Sequence, residues 1–239
     1  MGTHQPNIDY DKFNQWFWVD LETTGVEPET NLILEIAVVV TDSKMNVKDK
    51  LHLVLHYPMA ILLARSSSWC KRHFCSTSHG GNGLFDECNF SSISHEDAKF
   101  ALWNFFEWHS SHGVNDPRSA TASRNFFDKT RGSNGDPIGH YEGSHTPFFS
   151  KSSLRRGMLA GSTVYYDRAF LLKHFPGLKT FCHYKLIDVT SLLEMTRRFR
   201  PDVSASLPRP SGTHGAEQGI VESINLFKFF NRNLFGVEM

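Results

Sequence analysis

Hydrophobic residues run unbroken from Trp16 to Val19 and again through most of Leu32–Thr41 (LILEIAVVVT). Gly25 and Pro28 separate the two runs, and the second is rich in β-branched side chains, so both predict buried strands. Lys50–Leu55 alternates as a third strand, with Asp42–Asn46 as the hairpin connection. At Ser94 the period changes. Ser94 is placed as an N-cap, Asp97 stands three residues later in the capping-box position, and a Phe/Trp-rich helical face follows to His109. That face reads as core rather than as a platform for stacked bases.

From Gly113 to Gly157 the chain is rich in Gly, Ser, Asn and Pro and keeps no period, which is longer than an ordinary connection and predicts a flexible insertion at about 113–157. Its mild basic excess suits a solvated loop better than a phosphate contact. Order returns with a strand over Leu159–Val164, a helix over Asp167–His174 broken by Pro176-Gly177, and a short strand at Leu186–Asp188. A helix follows over Asp188–Arg200, ended by Pro201. A Pro/Ser loop over Ser204–Gly212 precedes a long amphipathic helix over His214–Asn233. Hairpin strands first and strand–helix alternation later predict one α/β domain, 1–239, with a mixed sheet.

Composition excludes more than it selects. The 239 residues are 40% hydrophobic, enough for one sizeable core, and the formal net charge is zero, so any polyanion site must be local. No apolar run has the length of a membrane helix, and the polar start MGTHQPNIDYDKF has neither a signal-peptide core nor an Arg-rich transit pattern; a cytoplasmic or mitochondrial protein is expected. Four cysteines in that setting read as reduced thiols. Cys70, Cys75 and Cys88 lie among His73 and His79, but their spacing matches no standard zinc pattern.

The chemistry gathers around FWVDLETTG. Asp20 and Glu22 are two apart at the end of a hydrophobic strand, so both point to the same side and repel each other. A hard divalent cation with oxygen ligands, Mg²⁺ or Mn²⁺, relieves that repulsion. The plainer reading is one surface acid beside one structural acid. Asp167, at a strand-to-helix junction, and His214, after a Gly-Thr turn, sharpen the metal reading.

WVDLETTGVEP, VVVTDSKMNV, AGSTVYYDRAFLLKHFPGL, FCHYKLIDVTSL and GTHGAEQGIVES together resemble the oligoribonucleases, DEDDh-type 3′-to-5′ exoribonucleases acting on small fragments. Trp69 with His79-Gly80-Gly81-Asn82-Gly83-Leu84 is a weaker match. The resemblance covers most of the chain, except about 113–157. It implies an RNase H-like α/β fold with a mixed, mainly five-stranded sheet flanked by helices. It also implies two divalent cations held by Asp20, Glu22 and Asp167, with His214 as the general base that takes a proton from the attacking water. Trp69 and His79 would line the pocket for terminal bases, and Val26 falls where a wedging Leu is usual. Thr163, Lys185, Thr190 and Thr213 would cap the 5′ phosphate of a dinucleotide, with Lys185 replacing an Arg fork by a point charge. Tyr184 matches a tyrosine contributed across a homodimer interface. Short single-stranded RNA is the implied substrate.

One position departs. The fourth acid of the family's motif falls on Gly219, five residues after His214. Glu217 points about 200° away on a helix, and Glu222 shares the face but lies roughly 4.5 Å further along the axis. Gln218 brings no charge. Three readings stay open at this point: an exoribonuclease weakened by the missing ligand, a degenerate relative that binds short RNA 3′ ends, and a nuclease for another nucleic-acid end.

Overall fold

The computed structural model describes residues 15–112, 156–210, 212 and 215–237. Trp16–Thr23 (β1), Ile33–Thr41 (β2) and Val47–Val54 (β3) form an antiparallel meander. Gly157–Gly161 (β4) and Cys182–Asp188 (β5) extend it on the β1 side as parallel strands. The order β3-β2-β1-β4-β5 makes the expected mixed sheet of five strands. The helices are α1 (Met59–Arg65), α2 (Ser68–Phe74), α3 (Leu84–Phe90), α4 (His95–His112), α5 (Val164–His174), α6 (Val189–Phe199), α7 (Pro201–Ser204) and α8 (Ala216–Phe235).

Alternation along β1 sorts the core. Phe17 and Val19 face α4 and α5 and pack with Phe105, Phe106, Phe170 and Leu171. Trp18 faces the other way, with Ala37, Val189, Ala216, Ile220 and Phe227 from β2, α6 and α8. With helices on both faces, β2 is apolar and buried almost throughout, which is why its sequence runs instead of alternating. A third cluster of Leu34, Leu62, Phe74, Leu84 and Phe85 holds the short helices α1–α3 at the end of the sheet. The predicted capping box forms: the Asp97 carboxylate accepts from the Ser94 N–H at 2.8 Å, and the Asp97 N–H donates to Ser94 Oγ at 3.2 Å. His109, fully buried, meets Asp49 at 3.1 Å and ties α4 to β3.

Some boundaries move, for local reasons. β4 ends at Gly161 instead of running to Val164. A Cβ at Gly161 would lie 2.6 Å from the Val19 carbonyl oxygen, so glycine permits this close strand contact. Thr163 then takes a left-handed φ of 58° and starts α5 three residues before Asp167. β3 begins at Val47 and β5 at Cys182, both earlier than the alternation suggests. The helix before Pro201 ends at Phe199, as expected, and Pro201 then sits in the first turn of α7, a position that needs no N–H. Helices α1–α3 have no sequence expectation behind them; each has only seven residues. Of the expected insertion, residues 113–155 lie outside the described residues. All four cysteines are free thiols. Among the described residues no helix is long and apolar enough to cross a membrane.

Candidate active site

β1 runs straight through the acids, so Asp20 and Glu22 project from one face of a regular strand, the face that α8 covers. The third acid arrives from a different element. Asp167 lies in the first turn of α5, is 8% exposed, and its Oδ1 accepts the Leu21 N–H at 3.0 Å. That N–H is available because the β1–β4 ladder stops at Trp18 and Ala160, leaving the end of β1 without a strand partner on that side among the described residues. A sequence separation of 146 residues is thus closed by one backbone-to-carboxylate bond.

Among the described residues, the charges that act on this point have one sign. Burial, then the charges of Asp167, Glu22, Glu35 and Glu222, push the Asp20 carboxyl up to about 9. Burial, then Glu35 and Asp167, raise Glu22 to about 7. Burial raises Asp167 to about 7 although backbone N–H groups, that of Leu21 among them, act to lower it. Desolvated carboxylates that repel one another are the electrostatic setting a hard dication relieves, and oxygen donors are the chemistry Mg²⁺ and Mn²⁺ prefer. Among the described residues no three such side chains are gathered into a finished ligand cage. The fit to a dication therefore lies in donor type and unbalanced charge.

Gly219 stands directly over Asp20. A Cβ built on it would lie 2.8 Å from Asp20 Cγ and closer still to Oδ2, so the carboxylate occupies the space a side chain would take. Glu222, one turn on, accepts from Gln218 Nε2 at 3.3 Å and is near enough to act on Asp20.

Two of the expected phosphate-binding residues come together. Thr163 and Thr190 sit 3.2 Å apart through their hydroxyls, and Asp188 Oδ1 holds both backbones, accepting from Thr163 N–H at 3.0 Å and Thr190 N–H at 2.9 Å. Lys185 and Tyr184 are neighbours on β5; the ammonium is 6.0 Å from the tyrosine ring, and Tyr184 is 75% exposed. The segments that carry Trp69, His79 and Val26 are joined by short-range contacts. The Ser67 N–H donates to Thr24 O at 2.9 Å and Cys70 Sγ to Thr23 O at 3.4 Å, docking α2 on the turn that carries the exposed Val26. Trp69 stacks on His73 at 3.8 Å, and the loop bearing His79 folds back through the Asn82 N–H to His73 O at 2.8 Å. Thr213 and His214 lie outside the described residues.

Glu35 and His52 carry no expectation from the sequence, and Glu217 is considered there only as a substitute for the fourth acid. Glu35 is 7% exposed, faces Glu22 across the β1–β2 ladder, and bonds His52 Nε2 at 2.6 Å and the Ala216 N–H at 3.1 Å. The available signal was one charge inside an apolar run, LILEIAVVV, which asks for partners.

No family model matches the chain. Among curated proteins it is 32% identical to an oligoribonuclease of Vibrio parahaemolyticus over 221 residues, 92% of this chain and 95% of that one. It is 30% identical to a probable oligoribonuclease of Dictyostelium discoideum over 98% of this chain and 97% of the relative. Among solved structures it is similar to the zinc-bound form of the E. coli exonuclease I complex with single-stranded DNA, with TM-score 0.58 and 12% identity over 93% of this chain. An exonuclease I from Methylocaldum szegediense superposes with TM-score 0.52 at 12% identity. The chain spans about two fifths of those solved chains, 42% and 41%, and the likeness establishes the RNase H-like fold.

Proposed function

This chain belongs to the oligoribonuclease family, and from that premise we propose that it is a 3′-to-5′ exoribonuclease degrading short oligoribonucleotides to mononucleotides. The observation that carries the reading is the convergence of Asp20, Glu22 and Asp167 from two elements into a desolvated, uniformly anionic spot. These three acids would hold divalent cations, Mg²⁺ or Mn²⁺. When bound, such ions stabilise charge on the phosphate and make water a better nucleophile. The chain's own groups do the rest. The joined hydroxyls of Thr163 and Thr190, with Lys185 and Thr213, hold the 5′ phosphate of the shortest substrate, while Trp69, His79 and Val26 receive its bases. His214, in the GTHGAEQG stretch that resembles the family's last motif, accepts the proton of the attacking water. Tyr184, exposed on β5, completes the pocket of a second copy in a homodimer.

Gly219 favours a second reading. A chain that lacks the fourth carboxylate and fills its place with Asp20 suits a protein that binds short RNA 3′ ends without cutting them. A time course on a 5′-labelled RNA dinucleotide and a longer RNA, with Mg²⁺ and with Mn²⁺, separates the two. Accumulating mononucleotide in wild type, abolished in Asp20→Asn together with Mn²⁺-induced thermal stabilisation, is the expected result. Tight binding of the dinucleotide with no product in either metal selects the second reading.

A further inference from the structure

We infer that Glu35, held by His52, is a positioning residue that fixes the start of α8 on the sheet and thereby seats Asp20 beneath Gly219. The inference rests on the exoribonuclease reading and adds residues to it.

Both oxygens of Glu35 are engaged. Oε2 accepts the Ala216 N–H at 3.1 Å, one of the first-turn donors that a helix leaves without an internal partner. Oε1 meets His52 Nε2 at 2.6 Å. His52 faces Ala37 across the β2–β3 ladder, and Glu35 is two residues from Ala37 on the same face, so the pair is diagonal between adjacent strands. The other ring nitrogen of His52 lies 3.8 Å from Glu217 Oε2, and Lys50 Nζ holds Glu217 Oε1 at 3.1 Å. The first turn of α8 is therefore tied to the sheet twice, through its backbone at Ala216 and through its side chain at Glu217.

The same turn carries Gly219, whose N–H donates to Gly215 O at 3.0 Å. A displacement of Ala216 is thus passed to Gly219, and Gly219 is already in contact with the Asp20 carboxylate. Glu35 also stands opposite Glu22, and placing a further buried carboxylate there adds repulsion to the site. A mere helix cap needs no charge at this position. A charged anchor shared between His52 and the helix start accounts for its presence, and with both oxygens engaged it is an anchor in preference to a metal ligand.

The test uses His52, because its side chain is 36% exposed and tolerates change better than Glu35. Steady-state hydrolysis of an RNA dinucleotide is measured for wild type, His52→Ala and His52→Gln, with hydrogen exchange of the peptide containing Ala216. His52→Ala is expected to lower kcat about tenfold while KM stays within about twofold, because the base and phosphate contacts are untouched. His52→Gln, which keeps an N–H for Glu35, restores most of the rate. The Ala216 peptide exchanges faster in His52→Ala and at the wild-type pace in His52→Gln. Wild-type kcat in His52→Ala, or a loss that His52→Gln does not repair, overturns the positioning role and leaves the exoribonuclease standing. A wild-type protein that does not cut the dinucleotide removes the underlying reading and this role with it.

Discussion

A Cβ on Gly219 would press into the Asp20 carboxylate, so the missing side chain and the position of that acid are one fact seen from two elements. Read from sequence, Gly219 is a lost ligand whose simple repair is Gly219→Asp. The structure makes that repair conditional. A carboxylate added there crowds a group already raised to about 9 by burial and like charge, and without a cation the new acid is itself desolvated and forced to share or hold a proton. Gly219→Asp should therefore melt below wild type in chelator and gain more than wild type on addition of Mn²⁺. Gly219→Ala separates bulk from charge: it crowds Asp20 equally, adds up to about 1 kcal/mol of helix propensity, and should show no enlarged response to Mn²⁺. Equal Mn²⁺ responses in Gly219→Asp and wild type would mean that the new acid does not reach the proposed cation position.

At the scale of elements, β1, β2, α4 and the long last helix were legible because each carries a strong period or a cap. Helices α1–α3 were not, since seven residues hold too few turns for a period and their stability comes from the shared cluster around Leu34 and Phe74. The β4–α5 junction was misplaced by three residues. Nothing local to Val164 reveals that Asp188, some 25 residues on, captures the Thr163 N–H and turns the chain early. β5 is an edge strand, and Tyr184 on it is 75% exposed, as are Phe199 at 72% and Met195 at 57% on α6, the next helix in sequence. If this side receives a second copy, light scattering at micromolar concentration should give twice the 27.2 kDa chain mass, and Tyr184→Ala should lower dinucleotide turnover. A stable monomer with full activity would remove the dimer from the proposal.

For the whole molecule, the acids couple stability to pH. An unfolded carboxyl titrates near 4, whereas Asp20, Glu22 and Asp167 are held at about 9, 7 and 7 in the folded, metal-free chain. Between those limits the folded state keeps protons that the unfolded state has released, so stability falls as pH rises. In chelator the melting temperature should decline from about pH 5 to pH 9, and Asp20→Asn should flatten the upper part of that decline. Saturating Mn²⁺ should flatten it in wild type, where the cation takes over from the protons. An unchanged slope in Asp20→Asn would show that Asp20 does not drive the effect. The fold class and the three acids were readable because they sit in contiguous motifs. The Glu35–His52–Ala216 linkage was not: the charge of Glu35 in an apolar run asks for partners, but these come from two distant segments that nothing local identifies.

The short β1–β4 ladder has a practical consequence. By stopping at Trp18, it leaves the Leu21 amide bonded to Asp167 rather than to a neighbouring strand. A backbone proton hydrogen-bonded to an ionisable side chain is a built-in spectroscopic reporter, since its resonance moves when the carboxylate changes partner. In isotope-labelled protein, the Leu21 signal would follow occupancy of the acid cluster without dye or substrate. It would do so equally well in variants too damaged to turn over.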